Sequence, residues 1–117
     1  RYTTPMLQES SEMPIEKIPT REEVIQIFEQ YVTDYRIVYE QFDQYGPVLL
    51  YIEVSGDKPG ETVQYQYMRK GNFSGQPERS ATTMHIVYYK DGVPMGGYNI
   101  ACYIDETGQW EEQNKPL

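Results

Sequence analysis

Residues 20–47 read TREEVIQIFEQYVTDYRIVYEQFDQYGP, and this stretch decides the fold expected for the chain. Its apolar residues recur at spacings of four and three, the spacing that places side chains on one face of a helix. The pattern predicts an amphipathic helix of about five turns. The stripe consists of Val24, Phe28, Tyr31, Tyr35, Val38 and Phe42.

Signals for a helix start and stop lie at both ends of this stretch. Thr20 and Glu23 have the spacing of a capping box, in which each side chain hydrogen-bonds the backbone N–H of the other residue. Glu22 adds negative charge at the positive end of the helix dipole. Gly46 and Pro47 are predicted to end the helix.

After Pro47 the apolar period changes from about 3.6 to two, which is typical of strands. Asp91-Gly92 is a two-residue hairpin signal, and Pro94 with Gly96-Gly97 predicts an edge position or a bulge in the returning strand. The predicted strands are 48–54, 62–69, 81–90, 98–104 and a short fifth one around 109–112.

These elements predict an α+β fold in which one long N-terminal helix packs on a curled four- to five-stranded antiparallel sheet. The order of elements resembles the cystatin-type roll, or a reduced version of the nuclear-transport-factor-2-type cone. The Gln-x-Val-x-Gly hairpin motif of protease-inhibiting cystatins is missing, since the first hairpin reads Val54-Ser55-Gly56-Asp57. The resemblance therefore implies a fold and does not imply inhibition of papain-like proteases.

The length of 117 residues suits a single domain. Residues 1–19 contain three prolines without periodicity and predict an extended arm or tether, with the domain at 20–117. Because the chain begins at Arg1, we expect an upstream segment to have been removed, and the composition favours an extracytoplasmic or secreted location. No apolar run is long enough to predict insertion into a membrane.

The charge balance bears on the choice of partner. Ten Lys and Arg residues against eighteen Asp and Glu residues give a net charge of −8. Nucleic-acid binding draws on basic residues that neutralise phosphates, so we expect no nucleic-acid partner. The acidic balance favours solubility, or alternatively a basic protein partner.

Residues of catalytic type are few. Cys102 is the only cysteine, which rules out an intramolecular disulfide and a zinc cluster of thiolates. Alternation places Cys102 inward and His85, the only histidine, outward, so we expect a core cysteine and a surface histidine. The acidic pairs at 22–23, 105–106 and 111–112 lie at element ends, where solvent keeps both carboxylates ionised. We predict no catalytic residue, no metal site and no cofactor.

Twelve tyrosines are the most informative functional feature. Alternation predicts a pocket between helix and sheet lined by Tyr35, Tyr65, Tyr67 and Tyr88. It also predicts an outer patch suited to a protein interface, made of Tyr51, Val87, Tyr89, Ala101 and Tyr103. The alternative for the patch is cross-strand aromatic pairing that stabilises an exposed sheet.

Three functional hypotheses follow. The first is a non-enzymatic protein-interaction domain that binds a protein partner, or a second copy as a homodimer, through the outer patch. The second is a small-molecule-binding protein or enzyme that uses the tyrosine-lined pocket. The third is an acidic inhibitor or immunity-type partner of a basic protein.

Overall fold

A computed structural model describes residues 18–71, 81–104 and 107–117. Most of this part is one six-stranded antiparallel sheet in which every strand pairs with the next one along the chain. The predicted arm lies outside the described residues, apart from Ile18 and Pro19. The elements are α1 (Arg21–Phe28), β1 (Arg36–Asp43), β2 (Gly46–Ser55), β3 (Glu61–Met68), β4 (Thr82–Lys90), β5 (Val93–Ile104) and β6 (Gln109–Pro116).

The predicted long helix is wrong. The helix ends at Phe28 after eight residues, and the last two residues of the supposed stripe, Val38 and Phe42, lie in strand β1. The fold is therefore a mostly β meander with one short helix, instead of a long helix on four or five strands. The resemblance to the cystatin-type roll and to the nuclear-transport-factor-2-type cone falls with it, because it required one long helix followed by four or five strands and the chain has a short helix followed by six.

The start of the helix matches the prediction. The backbone N–H of Thr20 donates to Glu23 Oε1 at 2.8 Å, and the N–H of Glu23 donates to Thr20 Oγ1 at 3.1 Å. Beyond Phe28, the N–H of Tyr31 donates to the carbonyl of Phe28, three residues back, which tightens the last turn. The capping box thus begins a helix that the following residues do not continue.

A tight turn ends β1 and returns the chain as β2. The Oδ1 of Asp43 accepts hydrogen bonds from the backbone N–H groups of Tyr45 and Gly46 at 2.9 and 3.2 Å. Gly46 has a φ of 143°, which glycine adopts without the penalty of a Cβ atom. Gly46 and Pro47, expected to stop a helix, begin β2 instead.

The main core lies between α1 and one face of the sheet, here called the inner face; the opposite face is the outer face. From the helix, Val24 and Phe28 are fully buried against it. The sheet contributes Leu50, Ile52, Tyr67, Met84, Ile100 and Ala101. The five strands predicted after Pro47 are confirmed, the last two of them longer than expected.

The hairpin between β4 and β5 is also confirmed. Asp91 and Gly92 have φ values of 49° and 81°, as a two-residue turn of this kind requires. The bulge predicted near Pro94 is present, because Met95 has no counterpart on β4. A second extra residue, Ile100, interrupts the same pairing, and alternation gave no sign of it.

Candidate interaction surface

Strand β1 is an edge strand that leaves large apolar side chains in solvent. Tyr39 and Phe42 are each 47% exposed, and Ile37 and Val38 are each 38% exposed. Among the described residues, β1 pairs only with β2, so the other edge of its backbone has no strand beside it. Such an edge is a template for pairing with another chain.

The charged residues of β1 are all engaged within the domain. Each one forms an ion pair with a residue of another segment, and the pairs are Arg21–Glu40, Arg36–Glu53 and Asp43–Arg69. The guanidinium of Arg36, 2.6 Å from Glu53, holds the pKa of that carboxyl below its usual range. Charged side chains and β-bulges are devices that protect sheet edges. On β1 the charges are paired within the domain, and a bulge lies at Val38.

The opposite edge of the sheet has a different character. Strand β6 carries Glu111, Glu112 and Lys115 and ends at Pro116. Charged side chains and proline both discourage pairing with a further strand, because charge repels and proline lacks the N–H donor. The two edges therefore differ, and only β1 combines an apolar sequence with paired charges.

Next to β1, the outer face carries an aromatic pair. The rings of Tyr39 and Tyr51 lie 5.6 Å apart in a tilted arrangement on neighbouring strands. This pair joins the exposed edge to the outer face of β2. The surface around β1 therefore has two aromatic rings in contact on the outer side of the sheet.

Farther across the outer face, polar side chains form a hydrogen-bonded row over three strands, β2, β3 and β4. The carboxylate of Glu53 accepts from Gln64 at 3.3 Å, and Gln66 donates to Gln64 at 2.8 Å and to the hydroxyl of Tyr89 at 3.3 Å. Val87 lies opposite Gln64 and is 9% exposed. Three residues of the predicted outer patch, namely Tyr51, Val87 and Tyr89, thus share the outer face with this row.

Ala101 and Tyr103 do not join them, which corrects their predicted placement. Ile100 is an extra residue in β5, so every later side chain of that strand lies on the face opposite to the one that alternation assigns. Ala101 belongs to the buried core against α1. Tyr103 is also buried, with its ring 5.2 Å from that of Trp110.

The same bulge moves Cys102 to the outer face, so the predicted separation of Cys102 from His85 is wrong. Cys102 lies opposite Thr83 in the pairing of β4 with β5. The hydroxyl of Thr83 is 3.2 Å from Nε2 of His85. Within the part of the chain that the structure describes, no three His, Cys, Asp or Glu residues are grouped as metal ligands.

The tyrosines predicted to line a pocket occupy different depths. Tyr67 is fully buried and donates to the carbonyl of Pro47 at 3.3 Å. Tyr65 packs edge-on against Phe28 with 6.2 Å between ring centres, and burial raises the pKa of its phenol. Both side chains therefore contribute to the inner face as packing groups.

The other two pocket tyrosines lie at separate surface clefts. Tyr35 lines an open cleft of about 570 Å³ with Arg36 and Glu53, and its hydroxyl donates to Glu29 at 2.8 Å. That hydrogen bond raises the pKa of Tyr35. Tyr88 lines another cleft of about 390 Å³. The four tyrosines are thus divided between packing positions and two clefts.

Comparison with protein-family models, with curated proteins and with solved structures gives no significant match. Across residues 18–71, 81–104 and 107–117, no helix has the length and apolar character that a membrane crossing requires.

The β1 edge is the feature that interpretation of the sequence missed. Two signals in the sequence favour a strand there. Ile37, Val38 and Tyr39 are consecutive residues of high β-propensity. Asp43 and Gly46 have the types and spacing of a tight turn.

Proposed function

We propose that this domain is a non-enzymatic interaction module that binds protein chains through the β1 edge and the adjoining Tyr39–Tyr51 pair. The observation that carries the proposal is the combination of four exposed apolar side chains on β1 with internal pairing of all its charges. An extended segment of a partner would add to the sheet through main-chain hydrogen bonds, a recurring mode of protein recognition.

Aromatic residues strengthen this proposal. Tyrosine is enriched at protein interfaces because it provides a large contact area with few rotatable bonds. Tyr39 is about half exposed and packs against Tyr51 in a tilted arrangement, so a partner strand on β1 would cover part of this aromatic pair. Main-chain pairing would supply affinity and the side chains of β1 would supply selectivity.

The test compares an edge variant with a matched control. The edge variant carries Val38→Lys and Phe42→Lys, which place two charges on β1. The control carries Val93→Lys and Met95→Lys, two residues that are 56% and 65% exposed on β5. Both pairs of substitutions add the same charge at exposed apolar positions. Comparing them therefore separates the effect of the position in the sheet from the effect of added charge.

Each protein is immobilised and exposed to an extract of the source organism that also contains a differently tagged copy of this chain. We expect the wild type and the control to retain the same bound proteins, and the edge variant to lose them. Circular dichroism checks that all three proteins are folded. Equal capture by the edge variant and the wild type would contradict the proposal.

A further double variant examines the rest of the outer face. Tyr51→Ser with Tyr89→Ser removes two aromatic rings of the outer face, one of them the ring that packs against Tyr39, without a substitution in β1 itself. If the contact extends across the outer face, binding weakens in this variant. If binding requires β1 alone, this variant captures the same proteins as the wild type.

A further inference from the structure

We infer that a cleft on the inner face binds a small organic cation that carries an ammonium group. The cleft lies between the segment that follows α1 and strands β5 and β6, at the opposite side of the sheet from β1, so it can act independently of the proposed function. Its volume is about 480 Å³, a size typical of small-molecule sites. The lining residues are Tyr31, Ile100, Glu112, Gln113 and Asn114.

Two irregularities of the sheet coincide at this cleft. Ile100 is an extra residue relative to β4, and the pairing of β5 with β6 shifts at the same place, where Gln113 and Asn114 lie opposite Ile100 alone. Consecutive side chains of a regular strand alternate between the two faces. Here Glu112, Gln113 and Asn114 all line one cleft. Bulges re-aim side chains in this way beside functional sites.

Tyr31 forms the aromatic wall of the cleft and is held in place. Its backbone N–H donates to the carbonyl of Phe28 at 2.9 Å, and its ring centre lies 5.9 Å from that of Tyr65, which packs on Phe28 in turn. Tyr31 is nevertheless 39% exposed. The face of an aromatic ring carries partial negative charge and attracts an ammonium group placed within about 6 Å of the ring centre.

Glu112 supplies the only charge among the described residues that line the cleft. It takes part in none of the three ion pairs of the described residues. Burial and the nearby carboxylate of Glu112 raise the pKa of the Tyr31 phenol, so the phenol stays neutral and lies close to that carboxylate. The ring of Tyr31 and the carboxylate of Glu112 therefore attract the same cation.

The lining of the cleft disfavours other classes of ligand. An anion would meet Glu112 without a basic side chain among the described lining residues to offset the repulsion. A divalent metal ion takes several oxygen ligands, and the described part of the chain groups no three His, Cys, Asp or Glu residues as metal ligands. An apolar molecule would bury the carboxylate without a partner, which is unfavourable. The net charge of −8 adds long-range attraction for a cation.

Titration with choline, followed by two-dimensional amide NMR, tests the inference. The control ligand is the neutral isostere of choline, in which a carbon atom replaces the nitrogen, and sodium chloride keeps the ionic strength constant. We expect choline to shift the amide resonances of residues 31 and 112–114 in a saturable manner and the isostere to leave them in place. Equal binding of the isostere, or no saturable shift with choline, would overturn the inference.

Substitutions in the two walls locate the site. Glu112→Gln should weaken choline binding by up to about fivefold, the effect of losing one exposed ion pair. Glu111→Gln is the matched control, because Glu111 lies opposite Cys102 on the outer face and should leave binding unchanged. Equal effects of the two glutamine variants would overturn the placement of the cation.

The aromatic wall is tested by two substitutions of one residue. Tyr31→Leu should weaken choline binding by about twofold to fivefold, because the leucine side chain offers no ring face to the cation. Tyr31→Phe keeps the ring and should bind choline as the wild type does. Circular dichroism checks that each variant is folded. Loss of binding in Tyr31→Phe would contradict a contact through the face of the ring.

Ammonium groups also occur in lipid headgroups, so sedimentation with phosphatidylcholine vesicles distinguishes the two sources. We expect the chain to stay in the supernatant, because the lipid phosphate next to the ammonium group would approach the carboxylate of Glu112. Sedimentation of the wild type with the vesicles that Glu112→Gln abolishes would overturn the assignment to a free cation.

Discussion

Arg69 and Asp43 form an ion pair in which the arginine side chain is 8% exposed, and the pair ties the end of β1 to the residue that follows β3. Nη1 of Arg69 donates to Oδ1 of Asp43 at 3.0 Å and to the carbonyl of Pro47 at 3.4 Å. The hydrogen bonds from Arg69 lower the pKa of Asp43 to about 2. The largely buried guanidinium of Arg69 thus holds the edge strand β1 to the interior of the sheet.

The ion pair predicts a specific dependence of stability on pH. The pKa of Asp43 is lower in the folded chain than its ordinary value of 3.8, so folding favours the ionised form. The contribution is present above about pH 4 and is lost as pH falls toward 2. Asp43→Asn should lower the free energy of unfolding at neutral pH by roughly 1–3 kcal/mol, because Arg69 loses its charged acceptor.

Urea denaturation at neutral pH and near pH 3 measures this effect. The difference between wild type and Asp43→Asn should shrink at the lower pH, because the Asp43 carboxyl is then largely protonated in the unfolded chain while it stays ionised in the folded one. Asp34→Asn removes an exposed carboxylate just before β1 and serves as the control. A constant difference at both pH values would contradict the assigned cause.

The capping box predicts the cost of removing Thr20. In Thr20→Ala, the N–H of Glu23 loses its acceptor at the start of α1. Loss of such a cap typically costs about 0.5–2 kcal/mol. Thermal and urea denaturation should show a decrease in that range, and Thr20→Ser should retain most of the stability. If the Ala and Ser variants are equally stable, the cap does not contribute.

The pairing of β4 with β5 leaves no space for a side chain at Gly97. A Cβ atom at this position would lie 2.1 Å from the carbonyl oxygen of Ile86, which is backbone and cannot rotate away. Gly97→Ala should destabilise the chain by about 1–3 kcal/mol or more, as overpacking does. Val93→Ala, at an exposed position of the same strand, should change the free energy of unfolding by less than about 0.5 kcal/mol. Similar effects of the two substitutions would contradict the steric account.

Removal of the Tyr67 hydroxyl should lower the free energy of unfolding by less than the substitution at Gly97 does. Tyr67→Phe keeps the ring in the core and removes the hydrogen bond to the carbonyl of Pro47. We expect a loss of about 0.5–1.5 kcal/mol in urea denaturation, the usual net value of one hydrogen bond. Tyr45→Phe, at a position that is 68% exposed, provides the control and should leave the free energy of unfolding unchanged.

Interpretation of the sequence succeeded where a segment has one buried face. The strands after Pro47 pack one side against α1, so burial imposes an alternation that can be counted. In β1 most side chains are exposed on both faces, and no burial constraint orders its apolar residues. Tyr35, Val38 and Phe42 therefore continued the helical spacing of Val24 and Phe28 by coincidence.

The prediction of the outer patch was wrong in part for a different reason. Assigning faces by counting requires that a strand contain no extra residue. A bulge near Met95 was one of two alternatives that Pro94 and the neighbouring glycines predicted, the other being an edge position. Ile100 lies in an ordinary apolar run, YNIACYI, without Gly or Pro beside it. The assignments of Ala101, Cys102 and Tyr103 were consequently inverted, while Tyr51, Val87 and Tyr89 were placed on the correct face.

The extra residue at Ile100 has a consequence for comparing this chain with relatives. In a relative that lacks this residue, each later residue of the strand would come one position earlier in the sequence. Its buried aromatic residue would then align with Cys102 instead of Tyr103. A correct alignment of the two sequences would then require a one-residue gap inside a strand, where gaps are normally penalised. Placing that gap from the structure would keep residues of the same face in the same column, and Tyr103 would no longer be aligned with a residue of the opposite face.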